Sequence, residues 1–145
     1  MFKGFEKKII KVKKGKIFCR VGGKGPPLLL LHGYPQTHLI WHKTAYQLAK
    51  NFKVIAADLR GYGSSLVLKG DNKHLNYSKR EMAKDMVQLM HKLGHNKFFI
   101  AGHDRGGRVA HRLARDHRKK VIAISVLDIC PTLDMYEKTN KEFAK

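Results

Sequence analysis

Gly102-His103-Asp104-Arg105-Gly106 sets a carboxylate between two glycines. It follows the apolar run Phe98-Phe99-Ile100 and precedes a stretch with helical spacing. At a strand-to-helix junction this pattern permits a sharp turn that drives the central side chain into the open. The start of the following helix, with its free backbone N–H groups, favours the ionised carboxylate. An ionised carboxylate is a competent nucleophile. The competing reading is an Asp N-cap, a common way to begin a helix. A second motif, His32-Gly33-Tyr34-Pro35-Gln36-Thr37-His38, follows another apolar run and shifts the balance to the nucleophile. A loop there offers one backbone N–H to a developing oxyanion, and the residue after the nucleophile offers another. Tyr34 and Arg105 would be those two donors if the two motifs make a site of that kind.

The choice of Asp narrows the chemistry. Serine suits attack at a carbonyl, but at a saturated carbon it would leave a stable ether. A carboxylate attacking a saturated carbon makes an ester, which water can open at the enzyme's own carbonyl. Asp104 therefore points to a carbon–halogen bond or an epoxide. Arg105 adjoins it, and Arg108 lies one helical turn beyond. Arginine grips a carboxylate through a bidentate fork, so both arginines suit a 2-haloacid and neither suits an uncharged substrate. Ser64 and Ser65 have no glycine-flanked context and are rejected as nucleophiles.

The elements that must hold these residues are legible in outline. Residues 8–22 read as a hairpin turning near Lys14-Gly15. Residues 26–33, 52–58, 97–103 and 121–128 read as strands, mostly continuous apolar runs buried on both faces. Trp41, Ala45, Leu48 and Ala49 have helical spacing. Ser78 is an N-cap with Glu81 at the capping-box position, and Gly94 suits the C-terminal end of that helix. Residues 104–117 form the next helix, and Thr132 begins another. A hairpin followed by strand–helix alternation predicts an α/β fold with a largely parallel sheet. Such sheets place sites at the carboxyl ends of their strands, which marks His32, Asp58, Asp104 and Asp128. A triad also needs an acid to orient its base; Asp128 ends a strand, whereas Asp134 lies on the next helix.

Bulk properties exclude other classes. The 145 residues suffice for a real core, and no apolar run reaches the ~20 residues of a membrane span. The basic start lacks an apolar signal region, so a cytoplasmic protein is expected. Two cysteines, Cys19 and Cys130, make neither a disulfide framework nor a zinc site. No metal or cofactor is expected. The net charge of +19 admits a non-catalytic, polyanion-binding protein. The basic residues are dispersed and no nucleic-acid-reading motif accompanies them, so neither a nucleic acid nor a membrane is the expected partner.

Residues 32–65, 101–114 and 125–132 resemble the α/β-hydrolase superfamily, and more narrowly its haloacetate (fluoroacetate) dehalogenases. The narrower likeness rests on Arg105 and Arg108; where they stand, epoxide hydrolases and haloalkane dehalogenases usually carry tryptophan after the nucleophile. The resemblance implies halide displacement from a small carboxylate substrate through an alkyl ester on Asp104, with the Tyr34 and Arg105 N–H groups as the oxyanion donors. Epoxide hydrolysis is the alternative. It also implies that Asp128 orients a catalytic histidine from a loop after the final strand, and it allows a homodimer of the complete protein. None of the nine histidines matches that base, and the helices of the substrate-covering cap have no match. The expectation is an α/β-hydrolase core cut short: a partial core over 1–131, the start of a cap helix over 132–145, and little turnover by this chain alone.

Overall fold

The computed structural model describes residues 1–140. Strands β1 (Glu6–Val12) and β2 (Gly15–Gly22) form the hairpin, in register from Glu6 opposite Val21 to Val12 opposite Gly15. The remaining strands are β3 (Pro27–Leu31), β4 (Lys53–Ala57), β5 (Phe98–His103) and β6 (Val121–Leu127). They make one six-stranded sheet in the order β1-β2-β4-β3-β5-β6. β2 meets β4 antiparallel, and β4, β3, β5 and β6 run parallel. The expected hairpin and parallel core are both present.

The apolar run of β3 explains its central place. Leu29 and Leu31 face one side, where they join Ile55, Met86, Leu89, Val109 and Leu113. Leu28 and Leu30 face the other, with Trp41, Ala45, Val54 and Ala56. Helix α2 (Lys79–Lys92) and helix α3 (Arg105–Asp116) cover the first face. The Ser78 hydroxyl accepts from the Glu81 N–H at 3.3 Å and starts α2 as expected. The capping box is only half made, because the Glu81 carboxylate pairs with Lys14 and Lys84 instead. On the second face the helix expected from Trp41 starts later. A 3-10 turn at His38–Trp41 precedes a short helix α1 (Thr44–Leu48).

One expectation fails. β6 reads as a buried strand, yet Ile122, Ile124, Val126 and Leu127 are 51%, 40%, 43% and 41% exposed. The strand is as apolar as β3, but it ends the sheet and no described element lies beyond it. After it, helix α4 (Thr132–Lys138) begins at the expected residue. The rest of the expected cap segment includes 141–145, which lie outside the described residues.

A buried ion pair ties the loop after β4 to α2. Arg60 donates to both carboxylate oxygens of Asp85, at 2.8 and 2.7 Å, and to the Asn76 carbonyl. Both side chains are almost fully buried. Removing one partner strands a charge in the core, at a cost of about 3–5 kcal/mol. Asp85→Ala is expected to lower urea-unfolding stability by that amount. The double change Arg60→Met, Asp85→Leu is expected to recover most of it.

Candidate active site

Asp104 stands between β5 and α3 with φ +48° and ψ −117°. A side chain avoids this backbone region unless its surroundings impose it. The surroundings here are close-packed main chain. A Cβ on Gly106 would lie 2.5 Å from the carbonyl oxygens of Leu31 and His32. One on Gly102 would lie 2.5 Å from the Gly106 carbonyl carbon. The two glycines therefore let α3 start hard against the ends of β3 and β5. The turn is tied to β6 as well, since the Asp104 N–H donates to the Leu127 carbonyl at 3.0 Å.

The Asp104 side chain makes no N-cap bond to its own helix. Its Oδ2 instead accepts the Tyr34 N–H at 2.8 Å, across from the loop after β3. Burial opposes ionisation of Asp104. The backbone N–H groups of Tyr34 and Arg105, with the nearby His103 and Arg105 side chains, outweigh it and hold the carboxyl below its usual range. Of the two expected oxyanion donors, Tyr34 N–H is thus in direct contact with this carboxylate, and Arg105 N–H favours its charged form.

The cations gather on one side. The Arg105 guanidinium lies 4.7 Å above the Tyr34 ring, within cation–π range. Arg108 is half-buried and reaches the Met135 sulfur of α4 at 3.6 Å. Lys79, at the start of α2, completes the group. Its ammonium is destabilised by burial and by Arg105 and Arg108, and supported by Asp104. Sequence reading placed Lys79 in a dispersed charge run, because nothing local reveals that the fold brings it within reach of Arg105 and Arg108.

Asp128 directly follows β6, with φ +52° and a side chain 86% exposed. It lies 3.4 Å from His103 Nε2, while His103 Nδ1 donates to Gln36 Oε1 at 3.2 Å. His103 was read only as part of the turn motif; its bridge between the β3 loop and Asp128 has no local signal. His32 is fully buried. Its Nδ1 donates to the Gly33 carbonyl at 2.8 Å and its Nε2 accepts the Leu59 N–H at 3.0 Å. Those roles fix a neutral ring, and burial lowers its pKa accordingly.

Asp58 anchors the loops around the site. Its Oδ1 accepts the His38 N–H at 2.7 Å and the His38 ring at 2.8 Å, and its Oδ2 accepts the Ser64 N–H at 3.0 Å. His38 belongs to the Tyr34 loop and Ser64 to the glycine-rich loop after β4, so one carboxylate joins both.

A largely parallel sheet with a strained acid at the turn from β5 to α3, facing a backbone N–H donor from the β3 loop, defines the α/β-hydrolase class. The alpha/beta hydrolase fold family profile matches residues 26–145, and the chain belongs to that family. It is 48% identical to a fluoroacetate dehalogenase of a Burkholderia species over 145 residues, all of this chain and 48% of that one. It is 42% identical to a soluble epoxide hydrolase of Corynebacterium sp. (strain C12) over 111 residues, 77% of this chain and 37% of that one. A solved structure from Nostoc sp PCC 7120, described as an alpha/beta hydrolase, superposes with a TM-score of 0.97 at 54% identity. It is covered over 99% of this chain and 50% of its own. The chain spans about half the length of the fluoroacetate dehalogenase and the Nostoc chain.

Burial also works against the Asp58 carboxylate, but the His38 ring, the His38 N–H and the Ser64 N–H outweigh it and lower its pKa. A carboxyl with a depressed folded pKa stabilises fully above its unfolded pKa and loses that contribution as pH falls through the folded value. Asp58→Asn is therefore expected to cost about 1–3 kcal/mol at neutral pH. It should cost much less at pH values below the folded pKa. Urea unfolding across an acid pH series checks both parts.

Proposed function

We propose that this chain carries the nucleophile half of a haloacid-hydrolysing enzyme. The observation that carries the reading is the Asp104 carboxylate, presented on a strained turn with Oδ2 on the Tyr34 N–H and cations beside it. The fluoroacetate dehalogenase relative supports the substrate class.

In the first step Arg105 and Arg108 hold the substrate carboxylate. Asp104 Oδ1 attacks the carbon bearing the halogen. The C–O bond forms as the carbon–halogen bond breaks, and the electron pair leaves with the halide. Oδ2 becomes the ester carbonyl oxygen, already in place against the Tyr34 N–H and close to the start of α3, where the Arg105 N–H is the second donor. In the second step water adds to the Asp104 carbonyl carbon and gives its proton to a base. Negative charge then develops on Oδ2, where the two N–H donors stabilise it. Collapse of this intermediate breaks the bond between the Asp104 carbonyl carbon and Oδ1, the ester oxygen. That oxygen takes a proton from the protonated base and departs in a 2-hydroxy acid, and Asp104 loses its proton to solvent and is again a carboxylate.

The base of the second step is a histidine that this chain does not supply, with Asp128 as its orienting acid. Asp128 is largely exposed and paired with His103, so its side chain is accessible to such a partner. Alkylation of Asp104 is then separable from hydrolysis. A second reading, an epoxide hydrolase, is favoured by the Corynebacterium relative. It leaves the cation group around Asp104 without a task.

Incubation with chloroacetate is expected to release one chloride per chain and to leave one ester, which peptide mass spectrometry places on Asp104. Asp104→Asn is expected to form none. Arg108→Leu should weaken chloroacetate binding by about 1.5–3 kcal/mol, the range for hydrogen bonds to charged groups. An ester on another residue would contradict the nucleophile assignment. Faster alkylation by a neutral epoxide would overturn the role given to the arginines, and repeated turnover would overturn the missing base.

A further inference from the structure

From Lys7 to Ala57 the chain carries eleven lysines and arginines and no aspartate or glutamate. Strung along the sequence they read as dispersed, but the hairpin register gathers four of them. Lys7 stands opposite Arg20, Ile9 opposite Phe18 and Lys11 opposite Lys16. Alternation along a strand puts these six side chains on one face. Val12, Ile17, Cys19 and Val21 take the other, in the core under α2 and α3. Two cationic rungs thus flank an apolar one. Lys7, Lys11 and Lys16 are exposed, Arg20 is half-buried, and Ile9 is 59% exposed.

Lysine on an edge strand often guards against pairing with another chain, and β1 is an edge. That role does not account for the rungs, because Lys16 and Arg20 belong to β2, an inner strand. Like charges directly opposite each other on a sheet are destabilising. No carboxylate relieves them. Glu6 pairs with Lys8, and alternation sets both on the far side of β1. Asp58, whose N–H donates to the Phe18 carbonyl, is fully buried and committed to His38 and Ser64. The Arg20 guanidinium has aromatic neighbours instead, 5.9 Å from the Phe2 ring centre and 5.8 Å from that of Phe18.

The rungs call for an extended anionic surface that also receives an apolar side chain. Lys7 and Lys11 lie ~13 Å apart along the strand, so the face meets a plane better than a single small anion. A bilayer with anionic headgroups offers such a plane, and binding there grows with inserted apolar area and with nearby basic residues. A nucleic-acid backbone would answer the cations but leave the exposed Ile9 without a task. No helix among the described residues is long and apolar enough to cross a membrane, so the contact is with its surface.

We infer that the hairpin face formed by Lys7, Ile9, Lys11, Lys16 and Arg20 docks on an anionic phospholipid surface. The four cations lie among the headgroups, and Ile9 reaches the boundary with the acyl chains. None of these residues belongs to the site around Asp104, so the inference is independent of the chemistry proposed there.

Co-sedimentation of the 145-residue chain with vesicles tests it. Phosphatidylcholine vesicles with about 30 mol% phosphatidylserine are expected to retain the chain at about 0.1 M salt, and phosphatidylcholine alone to leave it in solution. Each lysine near such a surface is worth about a fivefold change in partitioning. Lys7→Gln, Lys11→Gln and Lys16→Gln together should therefore lower it about a hundredfold. The same change at Lys92, Lys97 and Lys119, exposed residues outside the hairpin, should lower it less than about tenfold. Ile9→Asn removes no charge; it should cost about fivefold on vesicles and leave retention on a DNA duplex unchanged. Circular dichroism should be the same for all variants. Where the hairpin triple does not fold, Lys11→Gln and Ile9→Asn each carry the test alone.

Equal retention on neutral and anionic vesicles, or retention on neither, would overturn the inference. So would equal effects of the two lysine triples, or vesicle binding indifferent to Ile9→Asn. A DNA duplex that strips the chain from the vesicles at equal anionic charge would assign the face to nucleic acid and overturn it as well.

Discussion

The backbone of Asp104 is the constraint on which the site depends. Holding a non-glycine residue in such a conformation costs about 1–3 kcal/mol. The cost is borne by contacts from three strands: Gly106 against the end of β3, Gly102 on β5, and the Asp104 N–H on the last carbonyl of β6. Each contact is main chain to main chain, so it defines the position of the carboxylate without reference to side-chain rotamers. The same geometry accounts for the missing N-cap bond. A conventional cap would turn the carboxylate back onto α3, whereas this turn hands it to the Tyr34 N–H of another loop.

Electrostatics follow from that placement. Asp104 lies where the start of α3 and the β3 loop converge, and Arg105, Arg108 and Lys79 come within reach of one another there. The cations raise one another's cost of burial, which shows in the lowered pKa of Lys79. A group of partly desolvated like charges is expensive unless an anion joins it. Asp104 supplies one negative charge, and a carboxylate substrate would supply a second. On the proposed function, anion binding and nucleophile placement would be two consequences of one arrangement.

What was legible in the sequence was local. The hairpin, the continuous apolar strands, the Ser78 cap and the Asp104 turn all announce themselves within about ten residues, where hydrophobic period and turn chemistry act. What was not legible was contact across the fold. Asp58 and His38 are twenty residues apart, Arg60 and Asp85 twenty-five, and the 3-10 turn that carries His38 takes up Trp41, where the first helix was expected to begin. The exposure of β6 is the instructive miss. Ile122, Ile124 and Val126 promise a buried strand, and burial would have followed had another element covered them. Apolar pattern reports which surface must be covered, not which polypeptide covers it. Asp128 shows the same limit at the site: the strand end was read correctly, but its pairing with His103 depends on how the β3 loop folds over β5.

The central claim is that Asp104 attacks through Oδ1 while Oδ2 stays on the Tyr34 N–H. A crystal structure of the chain after exposure to bromoacetate tests it most directly. The expected result is continuous density from Asp104 Oδ1 to a carboxymethyl group, with Oδ2 still within hydrogen-bond reach of Tyr34 and the new carboxylate toward Arg105 and Arg108. An unmodified Asp104 beside an alkylated residue elsewhere, or an ester formed through Oδ2, would contradict it.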